Sequence, residues 1–175
     1  IALENARHYE ETRRHLTELE TRQRVMAATL QTLDLDERLS IALAETRQLV
    51  EVEMGGIYLV ERDRLILRAH QGLPDDLLAR LRDLPLAETP WAGQTTVRRE
   101  RLSERGSQVD EAGKRAGVQS WVAAPLKVED RLVGTFYLAS RRYEAFCEAD
   151  LRAFSSLADQ VAVAVQNARL YTEGQ

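Results

Sequence analysis

Residues 1 to about 33 contain neither glycine nor proline, and their spacing confines them to a single long helix. A three-four count from Ala2 meets Asn5, Tyr9, Thr12, Leu16, Leu19, Gln23, Met26, Leu30 and Leu33. That is a heptad seam sustained for more than four repeats. Tyr9, Leu16, Leu19, Met26 and Leu30 are its apolar anchors, while Asn5, Thr12 and Gln23 interrupt it. Polar seam residues weaken a coiled coil but fix its register and strand number. The flanking positions are dense in Glu and Arg, as solvated flanks require. The competing reading is an amphipathic helix packed on its own domain, which the narrow stripe disfavours. Residues 1–33 therefore read as a linker helix that dimerises in parallel.

A second helix is expected from Asp34, with Glu37 three residues on as in a capping box. Leu35, Leu39, Leu43, Thr46 and Val50 carry its buried stripe, and Gly55-Gly56 ends the helical period. The period then changes to that of strands. Ile57–Val60 and Leu65–His70 flank a polar turn and predict a hairpin over 55–70. A short helix follows at about 75–83. Residues 84–119 are broken by Pro85, Pro90, Gly93, Gly106, Gly113 and Gly117, with short strands expected at Thr95–Val97 and Arg101–Ser103. A loop of this length usually carries function or mobility. Ser120–Val128 and Leu132–Ala139 predict a second hairpin, with Pro125 at a bulge or edge. Phe146 and Leu151 are spaced as a hydrophobic staple around Cys147, which starts a final helix over 147–173.

Residues 1–11 and 163–173 match at six of 11 positions, including Asn5-Ala6-Arg7 and Asn167-Ala168-Arg169. The offset of 162 residues is a domain length rather than a solenoid period. The start of the chain thus reads as the exit helix of a preceding, related domain, and the chain as part of a longer protein. The division expected is a coiled-coil linker over 1–33 and a sensory domain over 34–173.

Six segments in this order resemble the GAF family of sensory domains. Gly55–Val60 resembles the family's first strand, and Leu65–Pro74 its second strand and following Gly-Leu-Pro. Gly117–Leu126 resembles the entry into its fourth strand, and Val133–Leu138 its fifth. Phe146–Leu151 resembles the start of its last helix, and Ala164–Tyr171 its Asn-Ala-Arg-Leu-Tyr exit. The resemblance covers about residues 20–173. It implies an α+β fold: a central antiparallel sheet of five or six strands, helices on one face, and long N- and C-terminal signalling helices. It implies a ligand cavity on the other face, built with the variable loop. It also implies a homodimer through the terminal helices, and flanking domains such as a second GAF domain or a kinase or cyclase output. The departures are that Cys147 replaces a Ser-like cap and that 84–105 match poorly. The Asn-Lys-x-Phe-Asp-Glu signature of cyclic-nucleotide-binding members is absent, as is a cysteine in the bilin-anchoring loop. No particular cofactor is implied.

The candidate ligand-binding residues are Tyr58, Trp91, Arg98, Arg99, Ser120, Trp121 and Tyr137. Trp91 and Trp121 bracket the variable loop and could line a pocket or pack the core. Arg98 and Arg99, like Lys114 and Arg115, could meet an anion or merely be solvated. Cys147, the one cysteine, is read as a half-buried cap substitute rather than a redox sensor, since no cation or second thiol is near in sequence. His8, His15 and His70 lack metal-ligand spacing.

No P-loop, GxSxG, HExxH or supported carboxylate dyad occurs, and no catalytic residue is assigned. Some family members reduce methionine sulfoxide, which needs several cysteines. A net charge of −4 gives no bias toward nucleic acid, and no apolar run is long enough to span a membrane. With one cysteine and no signal-peptide pattern, the cytoplasm is the expected compartment. The expected function is sensory transmission through dimeric helices. A ligand-free dimerisation module and a haem or chromophore sensor are the alternatives.

Overall fold

A computed structural model describes the backbone at residues 2–89, 98–101 and 108–173, with side chains at 5–20, 22, 34–89 and 111–170. Helix α1 (Ala2–Val50) is continuous, so the expected break before Asp34 is corrected. Nothing there stops a helix. Instead of capping, the Asp34 carboxylate accepts a hydrogen bond from Arg38 one turn later, at 2.8 Å. An acid four residues before a base is the favourable order on a helix surface. The helix ends where Glu51 turns left-handed (φ 59°) and the Val52 N–H reaches back to the Arg47 carbonyl at 3.1 Å.

Strands β1 (Met54–Glu61) and β2 (Arg64–Gln71) form the first hairpin, with a bulge at Ile57/Tyr58. Helix α2 (Asp75–Leu81) and strand β3 (Asp83–Pro85) follow. After a short 3-10 turn come β4 (Arg98–Arg101) and α3 (Gln108–Arg115). Strand β4 follows the first short strand expected and shares Arg101 with the second; 95–97 and 102–103 lie outside the described residues. Strands β5 (Ser120–Val128) and β6 (Arg131–Ser140) make the second hairpin, and α4 (Glu148–Glu173) closes the fold. Glu129 and Asp130 both take positive φ at the β5–β6 turn, the twist that suits a tight hairpin. Pro125 lies beyond the stretch of β5 that pairs with β4 and just before the irregularity at Leu126/Lys127.

The described sheet has six antiparallel strands in the order β3-β2-β1-β6-β5-β4. One face meets α1 and α4. Leu39, Leu43, Ile57, Leu59, Phe136 and Phe154 anchor that core. The other face carries the short helices α2 and α3 over a smaller core that includes Tyr58, Leu65, Leu77 and Ala112. Helices therefore cover both faces, the long pair on one side and the short pair on the other.

Candidate functional site

The face under α2 and α3 is set by strand alternation. Ile57 and Leu59 point to the long helices, so Gly56 and Tyr58 point the other way. Register places Tyr58 opposite Thr135 and Gly56 opposite Tyr137, which brings these side chains together on the same surface. The Tyr58 and Tyr137 ring centres are 5.7 Å apart with a 32° tilt. Gly56 makes room for the Tyr137 ring: a Cβ there would lie 2.5 Å from Cε1 and 2.8 Å from the hydroxyl.

The two tyrosines differ in how their hydroxyls are satisfied. Tyr58 donates to the Leu81 carbonyl at 2.7 Å, filling one of the open acceptors at the end of α2. The Tyr137 hydroxyl is buried and has no partner among the described residues, and the same holds for Thr135 Oγ1 two residues away. An unmade hydrogen bond at a buried polar atom costs about 1–3 kcal/mol. Burial raises the pKa of both phenols well above the ordinary range, with Tyr137 adding to the effect at Tyr58. Both are therefore neutral O–H groups at any physiological pH, able to donate or accept.

Trp121 lies on the same sheet face, half-buried and packed against Met54, Val118 and Ala139. Ser120, one residue earlier, points the opposite way. Its hydroxyl donates to the Arg142 carbonyl at 2.9 Å and accepts from the Ala145 N–H at 3.4 Å, so it ties down the β6–α4 connection. The two-residue period of the strand thus turns Ser120 away from Tyr58, Trp121 and Tyr137. Backbone register sets Arg98 opposite Ala123 and Arg99 opposite Val122, while Trp91 lies outside the described residues. Thr135 and Gly56 were not anticipated. A glycine inside a strand is a signal of close approach and could have marked Gly56, whereas Thr135 sits unremarked in an apolar run.

A cleft of about 490 Å³ opens between α2 and α3 on the same side, lined by Asp76, Arg80, Arg115 and Arg141 among others. Arg141 is held there by a 2.9 Å bond from its Nε to the Ala116 carbonyl. His8, His15 and His70 are exposed, and no group of three or more His, Cys, Asp or Glu side chains suited to a metal occurs among the described residues. Cys147 is exposed, not half-buried. No helix among the described residues is long and apolar enough to cross a membrane.

The family model described as GAF domain matches residues 32–166. No curated protein matches the sequence. Among solved structures, a domain of a two-component sensor histidine kinase protein from Sinorhizobium meliloti 1021 superposes with TM-score 0.69 at 19% identity, covering 79% of this chain and 96% of that one. The phycoerythrobilin-bound GAF domain of a cyanobacterial phytochrome gives 0.65 at 22%, covering 85% and 94%. The type II free methionine-R-sulfoxide reductase of Thermoplasma acidophilum gives 0.64 at 18%, covering 79% and 96%. Identities this low establish a shared fold and nothing finer.

Proposed function

This chain belongs to the GAF domain family, and from that premise we propose that it is a sensory, non-catalytic domain of a signalling protein that binds a small molecule beneath α2 and α3. The observation that carries this reading is the pair of buried, unpartnered hydroxyls on Tyr137 and Thr135. A ligand bearing hydrogen-bonding groups would supply the partners they lack, between the apolar walls of Tyr58, Leu77 and Ala112.

The route outward runs through β6. Tyr137 faces the ligand side, and Phe136, its neighbour, faces α4, where it meets Phe154 edge-on at 4.9 Å. A shift of β6 on binding would be felt at α4 without crossing any loop. The long helices would then carry it, in a cytoplasmic homodimer, to a flanking output domain. This requires two helix arrangements close in free energy, biased differently by the empty and filled sites.

Native mass spectrometry of the purified chain and its Tyr137→Phe variant tests the reading. The expected result is a bound small molecule in the native chain, with occupancy reduced at least several-fold in the variant. A chain that carries no small molecule, and binds none from a metabolite library, would favour the ligand-free dimerisation module. A visible absorption band would favour the chromophore or haem sensor. The similarity to a sulfoxide reductase is to its fold. A single exposed thiol, Cys147, at the start of α4 is a poor basis for that chemistry, which needs a second thiol to resolve the oxidised one.

A further inference from the structure

At the end of the sheet where both hairpin turns lie, the β1–β2 turn, the β5–β6 turn and the last turns of α4 enclose a groove of about 430 Å³, with Leu35 of α1 in its lining. Four arginines from four separate stretches line it: Arg62, Arg68, Arg131 and Arg169. Two of them are committed. Arg68 bridges Glu61 and Asp36, each at 2.8 Å, and Arg169 donates to the Val60 carbonyl at 2.8 Å. Arg62 and Arg131 are exposed, and their side chains make no ion pair or hydrogen bond among the described residues. Among the described lining residues the four arginines meet one carboxylate, Glu61, while Asp36 pairs with Arg68 from outside the lining. The other acids of these turns, Asp63, Glu129 and Asp130, are not among the described lining residues.

We propose that this groove binds a phosphate-bearing small molecule carrying at least two negative charges, and that it is a second site apart from the Tyr58–Tyr137 face. Arginine presents a fork of donors suited to oxyanions and is weakly hydrated enough to give up water for them. Here the forks come from a turn, a strand, the first residue of β6 and a helix. A tetrahedral group offers acceptors in all those directions, whereas the acceptors of a carboxylate lie in one plane. The volume of about 430 Å³ exceeds that of a lone phosphate and leaves room for the rest of a small molecule that bears it. Arg169 belongs to the exit helix and already holds the end of β1 through Val60. An anion shared by Arg62, Arg131 and Arg169 would fasten α4 to both turns where the helix leaves the sheet, and so would act on the transmitting helix directly.

Calorimetric titration of the 175-residue chain with pyrophosphate in chloride buffer tests this, beside citrate and two variants, R62Q/R131Q and R98Q/R99Q. The expected result is saturable one-to-one binding in the submillimolar range that weakens with added salt. R62Q/R131Q should lower the affinity about tenfold or more, and R98Q/R99Q should leave it unchanged. Because Arg62 takes a left-handed φ of 61°, R131Q is titrated as well, so that a folding defect at the turn cannot decide the outcome. Absence of saturable binding at millimolar pyrophosphate overturns the proposal. So does loss of binding in R98Q/R99Q with R131Q unaffected, and so does citrate binding as tightly as pyrophosphate. Loss of binding in R98Q/R99Q alone would move the anion to the candidate residues of the first site, whereas loss in R131Q alone keeps it in the groove.

Discussion

Tyr58 and Tyr137 share one sheet face, yet removing their hydroxyls should have opposite consequences. Tyr58→Phe leaves the Leu81 carbonyl without its 2.7 Å donor, and unfolding in urea should show a loss of about 1 kcal/mol. Tyr137→Phe removes a buried group that has no partner among the described residues, so the ligand-free domain should be as stable as before or gain about 1 kcal/mol. Equal losses in the two variants would mean that the Tyr137 hydroxyl is satisfied in solution. Glu53 supplies a second residue-scale test. Partial burial works to raise its pKa. The Arg141 N–H, its own backbone N–H, the Ser140 hydroxyl and the Arg141 charge outweigh this and hold it below its ordinary value of 4.5. A carboxylate depressed in the folded state contributes stability above its unfolded pKa and loses it as pH falls through the folded one. Urea midpoints measured between about pH 5 and pH 3 should therefore fall less steeply in Glu53→Gln than in the native chain.

At the scale of elements, the start of α4 shows a cap whose backbone half is complete. The Cys147 carbonyl accepts the Leu151 N–H at 3.1 Å, and the Cys147 N–H donates to Asp150 at 3.0 Å. What is missing is a good side-chain acceptor, since a thiol accepts poorly. Cys147→Ser should stabilise the fold by about 0.5–1 kcal/mol in thermal or urea unfolding. A destabilised variant would show that the thiol is more than a cap substitute. That cap, both hairpins and α2 were legible in the sequence because each carries its own period or staple. Strand β3 was not, since three residues show no period and its pairing with β2 is what makes it a strand. Helix α3 was hidden by its eight-residue length and by Gly113 within it. The break expected before Asp34 failed for another reason. An Asp followed by Glu37 serves equally as a capping box or as the exposed side of an unbroken helix, and Arg38 one turn on decides for the latter. The candidate site was legible in part. The sequence offered Tyr58, Trp121 and Tyr137 as candidates, whereas the opposite facing of Ser120 and the orphaned Thr135 hydroxyl depend on register across three strands.

At the scale of the whole molecule, α1 is much longer than the domain it packs against. Its 49 residues span about 74 Å, and its buried stripe is described from Leu35 onward. Toward the N-terminus Tyr9, Leu16 and Leu19 are 70%, 55% and 44% exposed. Leu16 and Leu19 are three residues apart and so share a face of the helix. Apolar side chains at heptad spacing on a solvated helix are what a second helix would cover. Met26 and Leu30 continue the seam, and their side chains lie outside those described. We expect the chain to be a parallel dimer through this seam. Leu16→Glu/Leu19→Glu would place four extra carboxylates along the two-fold axis, where neither water nor a counter-charge can satisfy them cheaply. Light scattering at micromolar concentration should give the monomer mass for the double variant and the dimer mass for the native chain. The near-UV circular dichroism should be unchanged, because both sheet cores lie beyond residue 34. A double variant that stays dimeric would move the interface to the other exposed apolar residues of the helical face, Ile41 and Leu49 of α1 and Val163 and Leu170 of α4. A signal would then pass between chains at the level of the sheet rather than along the linker.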